Sequence, residues 1–379
     1  MKIAQVTCCF PPYQGGVSSV AYYLSKKLAE RGHEVTVLTP DYGGQRYELT
    51  KDDNFRVKYL TPIAKFGLAA VLPQFLFKLR GFDVIHLHYA FIGSEFFIWL
   101  FKIFNPRVKL FVQYHNDLIG EGWRGKIFSW HNRLMMPLIL GSADRVLALS
   151  KGHLRNSKLG PLWQEGKIKT EIFANGVDLK IFYPQNVDEG LKAELGIEAD
   201  ESVITFVGGM DEAHYFKGVN YLIQAFARLS YQNCKLLLIG QGCLVEKYRQ
   251  LARELKVDDR VIFVKAGHES LAKFLNLSDV LVLPSFETES FGMVLIEAMA
   301  CARPVIASRL PGVDEVFTDR QEGYYFEPKN VEDLKEKLML IIRDKSLSQQ
   351  MGYNGLTLVQ QKYDWNKIVD ELERIYQNV

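Results

Sequence analysis

Two glutamates, Glu289 and Glu297, stand eight residues apart in the stretch PSFETESFGMVLIE, residues 284–297. An apolar run over 280–283 predicts a buried strand that ends just before it, and helical periodicity resumes near Gly292. Glu289 therefore lies in a strand-to-helix loop, and Glu297 lies more than one turn inside the helix. The first N–H groups of a helix have no intrahelical partner and carry the positive end of its dipole, which makes them a seat for phosphate. Carboxylates on either side of that seat can accept hydrogen bonds from hydroxyls. The spacing suits a ligand with hydroxyls, a diphosphate and more hydroxyls in line, as in a nucleotide sugar.

Other residues could join this chemistry. Lys217 and Gly218 open the first predicted helix after the strand at 203–207, and a lysine there can meet a phosphate. That strand runs out through Gly208-Gly209-Met210, and the segment 211–216 (DEAHYF) brings His214 close to Lys217. Near the N-terminus, PPYQGGV (11–17) follows the first strand and opens the first helix. Its paired Gly15 and Gly16 let backbone N–H groups approach a phosphate or sugar without a Cβ in the way. His115 follows the strand at 108–114, where a local hydrogen bond is its ordinary role, and His86 and His88 end the neighbouring strand. Gly240-Gln241-Gly242 imitates the start of a dinucleotide fingerprint but lacks the third glycine.

These residues need elements to position them. Residues 2–6, 34–38, 84–88, 108–114 and 145–149 read as strands, with helical patterns at 17–31, 94–104 and 126–141. The alternation restarts with strands at 203–207, 235–239, 261–264, 280–283 and 305–307, separated by helices near 219–229, 244–255, 271–277 and 293–300. Strand–helix alternation predicts a parallel sheet covered on both faces, here twice over. The turn signal Asn175-Gly176-Val177-Asp178 marks the boundary, giving domains at 1–174 and 175–363, with a C-terminal helix over 364–379 expected to pack back on the first. Ligand crevices of such sheets lie at the carboxyl ends of the strands, so a cleft between the domains is expected to hold the chemistry.

Five cysteines without metal-ligand spacing, Cys8, Cys9, Cys234, Cys243 and Cys301, read as reduced thiols of a cytoplasmic protein. The net charge of +2 conceals an asymmetry: residues 1–180 hold 24 Lys and Arg against 14 Asp and Glu, the remainder 22 against 30. A basic half suits an anionic partner. No nucleic-acid-binding motif accompanies it, so nucleic acid is not expected. Segments 64–79, 96–104 and 122–140, read as helices, are rich in aromatic and basic residues, and Trp123, Arg124, Lys126, Phe128 and Trp130 cluster. Such helices suit either an ordinary core or an anionic membrane interface, which would make the protein peripheral at the inner membrane face.

From residue 11 to its end the chain resembles the family-4 retaining glycosyltransferases. The Glu-x7-Glu pair formed by Glu289 and Glu297 carries the resemblance, with Ser290-Phe291-Gly292 and Glu297-Ala298-Met299-Ala300 around it. The resemblance implies an α/β architecture of the GT-B type, two Rossmann-like doubly wound domains facing across a cleft. It implies that Glu289 binds donor-sugar hydroxyls, that Glu297 binds the ribose, and that the backbone at Ser290, Phe291, Gly292, Met293 and Val294 lines sugar and phosphates. Lys217, with Gly209 behind it, would grip the diphosphate. The arginine that partners this lysine in the family is absent, since Met210 follows Gly208-Gly209, and His214 is a partial substitute. Gly15 and Gly16 would meet the donor from the first domain, and His115 would touch the sugar or its developing charge.

With Lys217, Glu289 and His115 as catalytic candidates, the resemblance implies transfer of a hexose from a UDP-, GDP- or ADP-sugar to a glycan or lipid-linked acceptor. Configuration would be retained through front-face attack. No Asp-x-Asp pair occurs, so neither a metal nor another cofactor is expected. The base contact is placed at Lys265, Gly267 and His268, and His86 and His88 are placed toward the acceptor. Two other readings share the architecture: a sugar-nucleotide 2-epimerase, and a non-catalytic sugar-nucleotide-binding partner subunit.

Overall fold

The computed structural model describes residues 1–379 apart from Gln14, Ile119, Glu121 and Thr288, and apart from the side chains of Arg124, His268 and Glu269. The chain divides into two compact units, one made of residues 1–175 with 365–379 and the other of residues 176–364.

Among the described residues the first unit is built on nine strands: β1 (Lys2–Val6), β2 (Glu34–Pro40), β3 (Arg56–Leu60), β4 (Ala64–Phe66), β5 (Ala69–Val71), β6 (Val84–Tyr89), β7 (Lys109–Tyr114), β8 (Arg145–Ala148) and β9 (Thr170–Ile172). Seven of them form one parallel sheet in the order β3-β2-β1-β6-β7-β8-β9. The central strands are buried along nearly all their length and read as largely apolar runs, with Gln5, His86, His88 and Gln113 as their buried polar residues. Helices α1 (Gly16–Glu30), α3 (Glu95–Phe104) and α4 (Gly122–Ser142) are its longer helices before residue 150, and α2 (Phe75–Lys78), α5 (Lys151–Asn156) and α6 (Leu159–Gln164) are short.

One expected helix is corrected here. Residues 64–79 are an antiparallel β4–β5 hairpin followed by the single turn α2. Gly67, at φ +56°, turns the hairpin, and Pro73 stops the chain from continuing as a strand. The edge strands β3 and β9 have half-exposed patterns and carried no strong periodic signal.

The second unit begins with the short helix α7 (Glu189–Glu194). It continues through β10 (Ser202–Val207), α8 (Val219–Ala227), β11 (Cys234–Ile239), α9 (Val245–Glu254), β12 (Val261–Val264), α10 (His268–Leu277), β13 (Val280–Leu283), α11 (Met293–Ala300), β14 (Val305–Ser308) and β15 (Gly323–Phe326). Its sheet is parallel in the order β12-β11-β10-β13-β14-β15. The strand order reverses between β10 and β13, as it does between β1 and β6 in the first unit, and ligands of such sheets bind beside that reversal. Helices α12 (Val331–Arg343) and α13 (Lys345–Lys362) close the unit. The last helix, α14 (Trp365–Gln377), returns to the first unit, where Trp365 stacks on Tyr23 of α1 with ring centroids 5.6 Å apart.

Candidate functional site

The loops that leave the carboxyl ends of β10 and β13 meet at the reversal of strand order in the second unit. After β10, the Asp211 carboxylate caps a tight 3-10 turn, Glu212–Lys217, by accepting from the backbone N–H groups of Ala213 (2.9 Å) and His214 (3.2 Å). The turn ends at Gly218, at φ +71°, where a Cβ would lie 2.0 Å from the carbonyl oxygen of Pro284. Only glycine lets the turn press this closely against the β13 loop. Phe286 N–H then donates to the Phe216 carbonyl at 2.9 Å, joining the two loops.

This junction sets the central contact of the site: Lys217 Nζ lies 2.5 Å from Glu289 Oε2. The same carboxylate oxygen accepts from Ser285 Oγ at 3.0 Å. Both ionic side chains are largely buried, 18% and 11% exposed, so the attraction is far less screened than at an open surface. The backbone of Glu289 and Ser290 passes close to Gly312, at φ +101°, where a Cβ would stand 2.9 Å from both of their carbonyl oxygens. Neither Ser285 nor Gly312 stood out in the sequence; only the approach of segments far apart in the chain gives them a part.

Helix α11 starts where the sequence placed it. Gly292 caps it in the left-handed region, φ +79°, and a Cβ there would lie 2.7 Å from a Leu283 methyl group. Phe291 is buried edge-on against Tyr363 at 5.7 Å, while Ser290, Met293 and Val294 are half-buried. Glu297, on the second turn, is only 7% exposed, and burial pushes its carboxyl from an ordinary 4.5 up to about 7.

Beside this cluster lies a cavity of about 580 Å³ lined by Asp211, Gln241, Gly242, Val245 and Lys265. It opens at the carboxyl ends of β10, β11 and β12, and its size is that of a small-ligand site. Lys265 lines it and Gly267 is the N-cap of α10; the His268 side chain lies outside the described residues. The His214 ring rests on Gly209, where a Cβ would come within 2.8 Å of Nδ1, and that nitrogen is 2.9 Å from Asp211 Oδ1. Met210, at the place of the family's arginine, is fully buried in the core.

The remaining candidates are in the first unit. Gly15 is the N-cap of α1 and Gly16 its first residue; Gln14 of the same loop lies outside the described residues. His115 is 4% exposed and bonded through Nε2 to His88 Nδ1 at 3.0 Å, with the two rings stacked. Burial, then His86 and His153, lower its pKa to about 3, so at neutral pH it offers a hydrogen bond and no charge. His86 and His88, expected toward the acceptor, are instead wholly interior. His86 links Tyr376 of α14 (2.7 Å) to Gln113 (3.1 Å), and His88 also bonds Gln5 (2.9 Å). A polar residue in a central parallel strand faces the sheet's packed interior, and here the histidines serve as bonded core. Asp117 accepts from the Tyr114 hydroxyl (2.5 Å) and from the Lys158 N–H (3.1 Å).

Lys217 and Ser285 thus both meet the Glu289 carboxylate, with the start of α11 and the Asp211–Lys265 cavity on neighbouring strand ends of the same sheet. Two parallel sheets of this strand order, each flanked by helices, give the chain the GT-B fold. Residues 14–180 match the family described as Glycosyltransferase Family 4, and residues 187–357 match Glycosyl transferases group 1. The chain belongs to family 4 of the glycosyltransferases.

It is similar to the N-acetyl-alpha-D-glucosaminyl L-malate synthase of Bacillus anthracis, 29% identical over 391 residues that cover 100% of this chain and 98% of that protein. Among solved structures it is similar in fold to the sucrose-phosphate synthase of Thermosynechococcus elongatus, with TM-score 0.82, 24% identity and coverage of 100% and 99%. It is also similar in fold to the Anabaena protein HepE in complex with UDP, with TM-score 0.79, 19% identity and coverage of 100% of each chain.

Proposed function

We propose that this glycosyltransferase moves a hexose from a nucleoside-diphosphate sugar, with UDP, GDP or ADP as the leaving group, to a glycan or lipid-linked acceptor. It does so with retention and without a metal ion or other cofactor. The observation that carries the reading is the Lys217–Glu289 contact at the reversal of strand order, next to the start of α11. The ammonium and the unpaired helix N–H groups suit the diphosphate of such a donor, and the carboxylate beside them suits its sugar hydroxyls.

On this reading the diphosphate lies at the first turn of α11, near the backbone of Ser290 to Val294, and Lys217 turns toward it. Charge that builds on the leaving phosphate meets a fixed cation and fixed dipoles, which is electrostatic catalysis at the point of need. Glu289, released by the lysine and steadied by Ser285, accepts from the sugar hydroxyls. Glu297 accepts from the ribose, and the base enters the cavity beside Gln241 and Lys265. The acceptor hydroxyl attacks from the face the phosphate leaves, and the departing phosphate oxygen takes its proton. Glu289 is then a positioning carboxylate and not a nucleophile. His115, being neutral, contributes a hydrogen bond.

The test is thermal unfolding with UDP, GDP and ADP, each with and without EDTA, on the native chain and on Glu297→Ala. A nucleotide at 100 times its Kd stabilises the fold by about 2.7 kcal/mol. The expected result is a shift with one nucleotide that EDTA leaves unchanged and the variant loses. Loss of the shift in EDTA would overturn metal independence. Release of an epimerised sugar from donor alone would overturn transfer as the reaction.

A further inference from the structure

Helix α4 is apolar on two sides. Its inner side buries His131, Met136, Ile139 and Leu140. Its outer side exposes Trp123 (57%), Ile127 (45%), Trp130 (59%), Leu134 (44%) and Leu138 (42%). These five follow one another at steps of four, three, four and four residues, so at 3.6 residues per turn they form a single stripe. Phe66, 57% exposed on the β4–β5 hairpin, extends the stripe by meeting Trp123 at 5.4 Å. Exposed apolar residues scattered singly need no account, but a continuous stripe with two tryptophans marks a surface that meets something.

The charges around it say what. From Gly122 to Ser142 the helix has no Asp or Glu, and exposed Lys126 and Arg133 run along one edge of the stripe. The first 180 residues carry ten more bases than acids. A second copy packed on this face about a two-fold axis would bring the same bases together. An anionic bilayer gains from both features: indole rings settle at the headgroup level, and bases face lipid phosphate. Among the described residues no helix is long and apolar enough to cross a membrane, so α4 would lie in the plane of the surface.

We infer that the outer face of α4, with the β4–β5 hairpin, docks the protein on an anionic lipid surface. This does not depend on the reading of the donor site, and its test needs no sugar. The full chain is floated at low salt with vesicles of phosphatidylcholine alone and of phosphatidylcholine mixed with phosphatidylglycerol. Trp123→Ser with Trp130→Ser, and Lys126→Glu with Arg133→Glu, are floated alongside after their unfolding temperatures are checked. The expected result is flotation with the anionic vesicles, weakened by added salt and at least about tenfold by each double variant. Failure of the native chain to float, or unchanged flotation of the tryptophan variant, would overturn the inference. So would a dimer in sedimentation that dissociates on Trp130→Ser, which would make a second copy the occupant.

Discussion

At Glu297 a carboxyl is held where its charged form loses nearly all its water, so its folded pKa stands at about 7 against an ordinary 4.5. The sign follows from proton binding. Between those values the folded chain keeps a proton that the unfolded chain has released, so stability falls as pH rises through the window, by ~3 kcal/mol in all. Urea unfolding across pH 4.5 to 7 should show that fall, and Glu297→Gln should remove it while raising stability above pH 7. Ser285 is a different kind of residue: it touches the Glu289 carboxylate and, on the proposed reading, no substrate. Ser285→Ala is expected to raise KM for the donor several-fold and to leave kcat within about a factor of two, because one hydrogen bond of ~1 kcal/mol is lost from a positioned group. Steady-state kinetics at saturating acceptor would separate this from a merely structural effect, which would lower the active fraction and leave KM alone.

At the scale of elements, the site depends on how closely loops from two strands approach. Gly218 allows that approach, and Gly218→Ala would force a Cβ both into a left-handed backbone and against the Pro284 carbonyl. The variant is expected to lose about 2 kcal/mol or more and to break the Lys217–Glu289 contact, read as a lowered midpoint in denaturant together with loss of transfer. Helix α14 offers a second case. It is tied to the first unit by the Tyr23–Trp365 stack, by Arg31 on Asp370 at 2.6 Å and by the Tyr376 hydroxyl on His86. Tyr376→Phe leaves a fully buried imidazole nitrogen without its partner, at a cost of about 1–3 kcal/mol. Amide exchange should show α14 opening faster in that variant while the amides of β10 and β11 keep their protection.

Across the whole molecule, the two units should respond to acid in opposite senses. In the first, burial lowers His86 to about 4 and His115 to about 3 from an ordinary 6.5. The unfolded chain takes up those protons first, so this unit loses stability as pH falls below 6.5 toward 4. In the second, the Glu297 carboxyl gains stability over much of the same range. Calorimetry from pH 7 to pH 5 should therefore show the transition of the first unit moving down while that of the second holds or moves up. A single transition shifting as one would contradict this independence.

What the sequence determined by itself was whatever repeats locally or is written in adjacent residues. Burial on both faces makes each central strand a largely apolar run, and helices between them force parallel order, so both sheets were legible. So was the helix start at Gly292, where a glycine and a change of period coincide, and so was the Glu289–Glu297 spacing. Elements with weak local signal were not: the half-exposed edge strands, and the hairpin at 64–71, whose apolar composition also suits a helix. Tertiary structure alone decided the rest. Lys217 and Glu289 are 72 residues apart and meet only because β10 and β13 are neighbours in the sheet. The pKa of Glu297 and the neutrality of His115 come from burial, which no single residue type specifies. His86 and His88 read as site residues because they end the strand neighbouring His115. They are core because the sheet supplies Gln5 and Gln113 and α14 supplies Tyr376 as hydrogen-bond partners, and a buried polar group is stable only where such partners are brought to it.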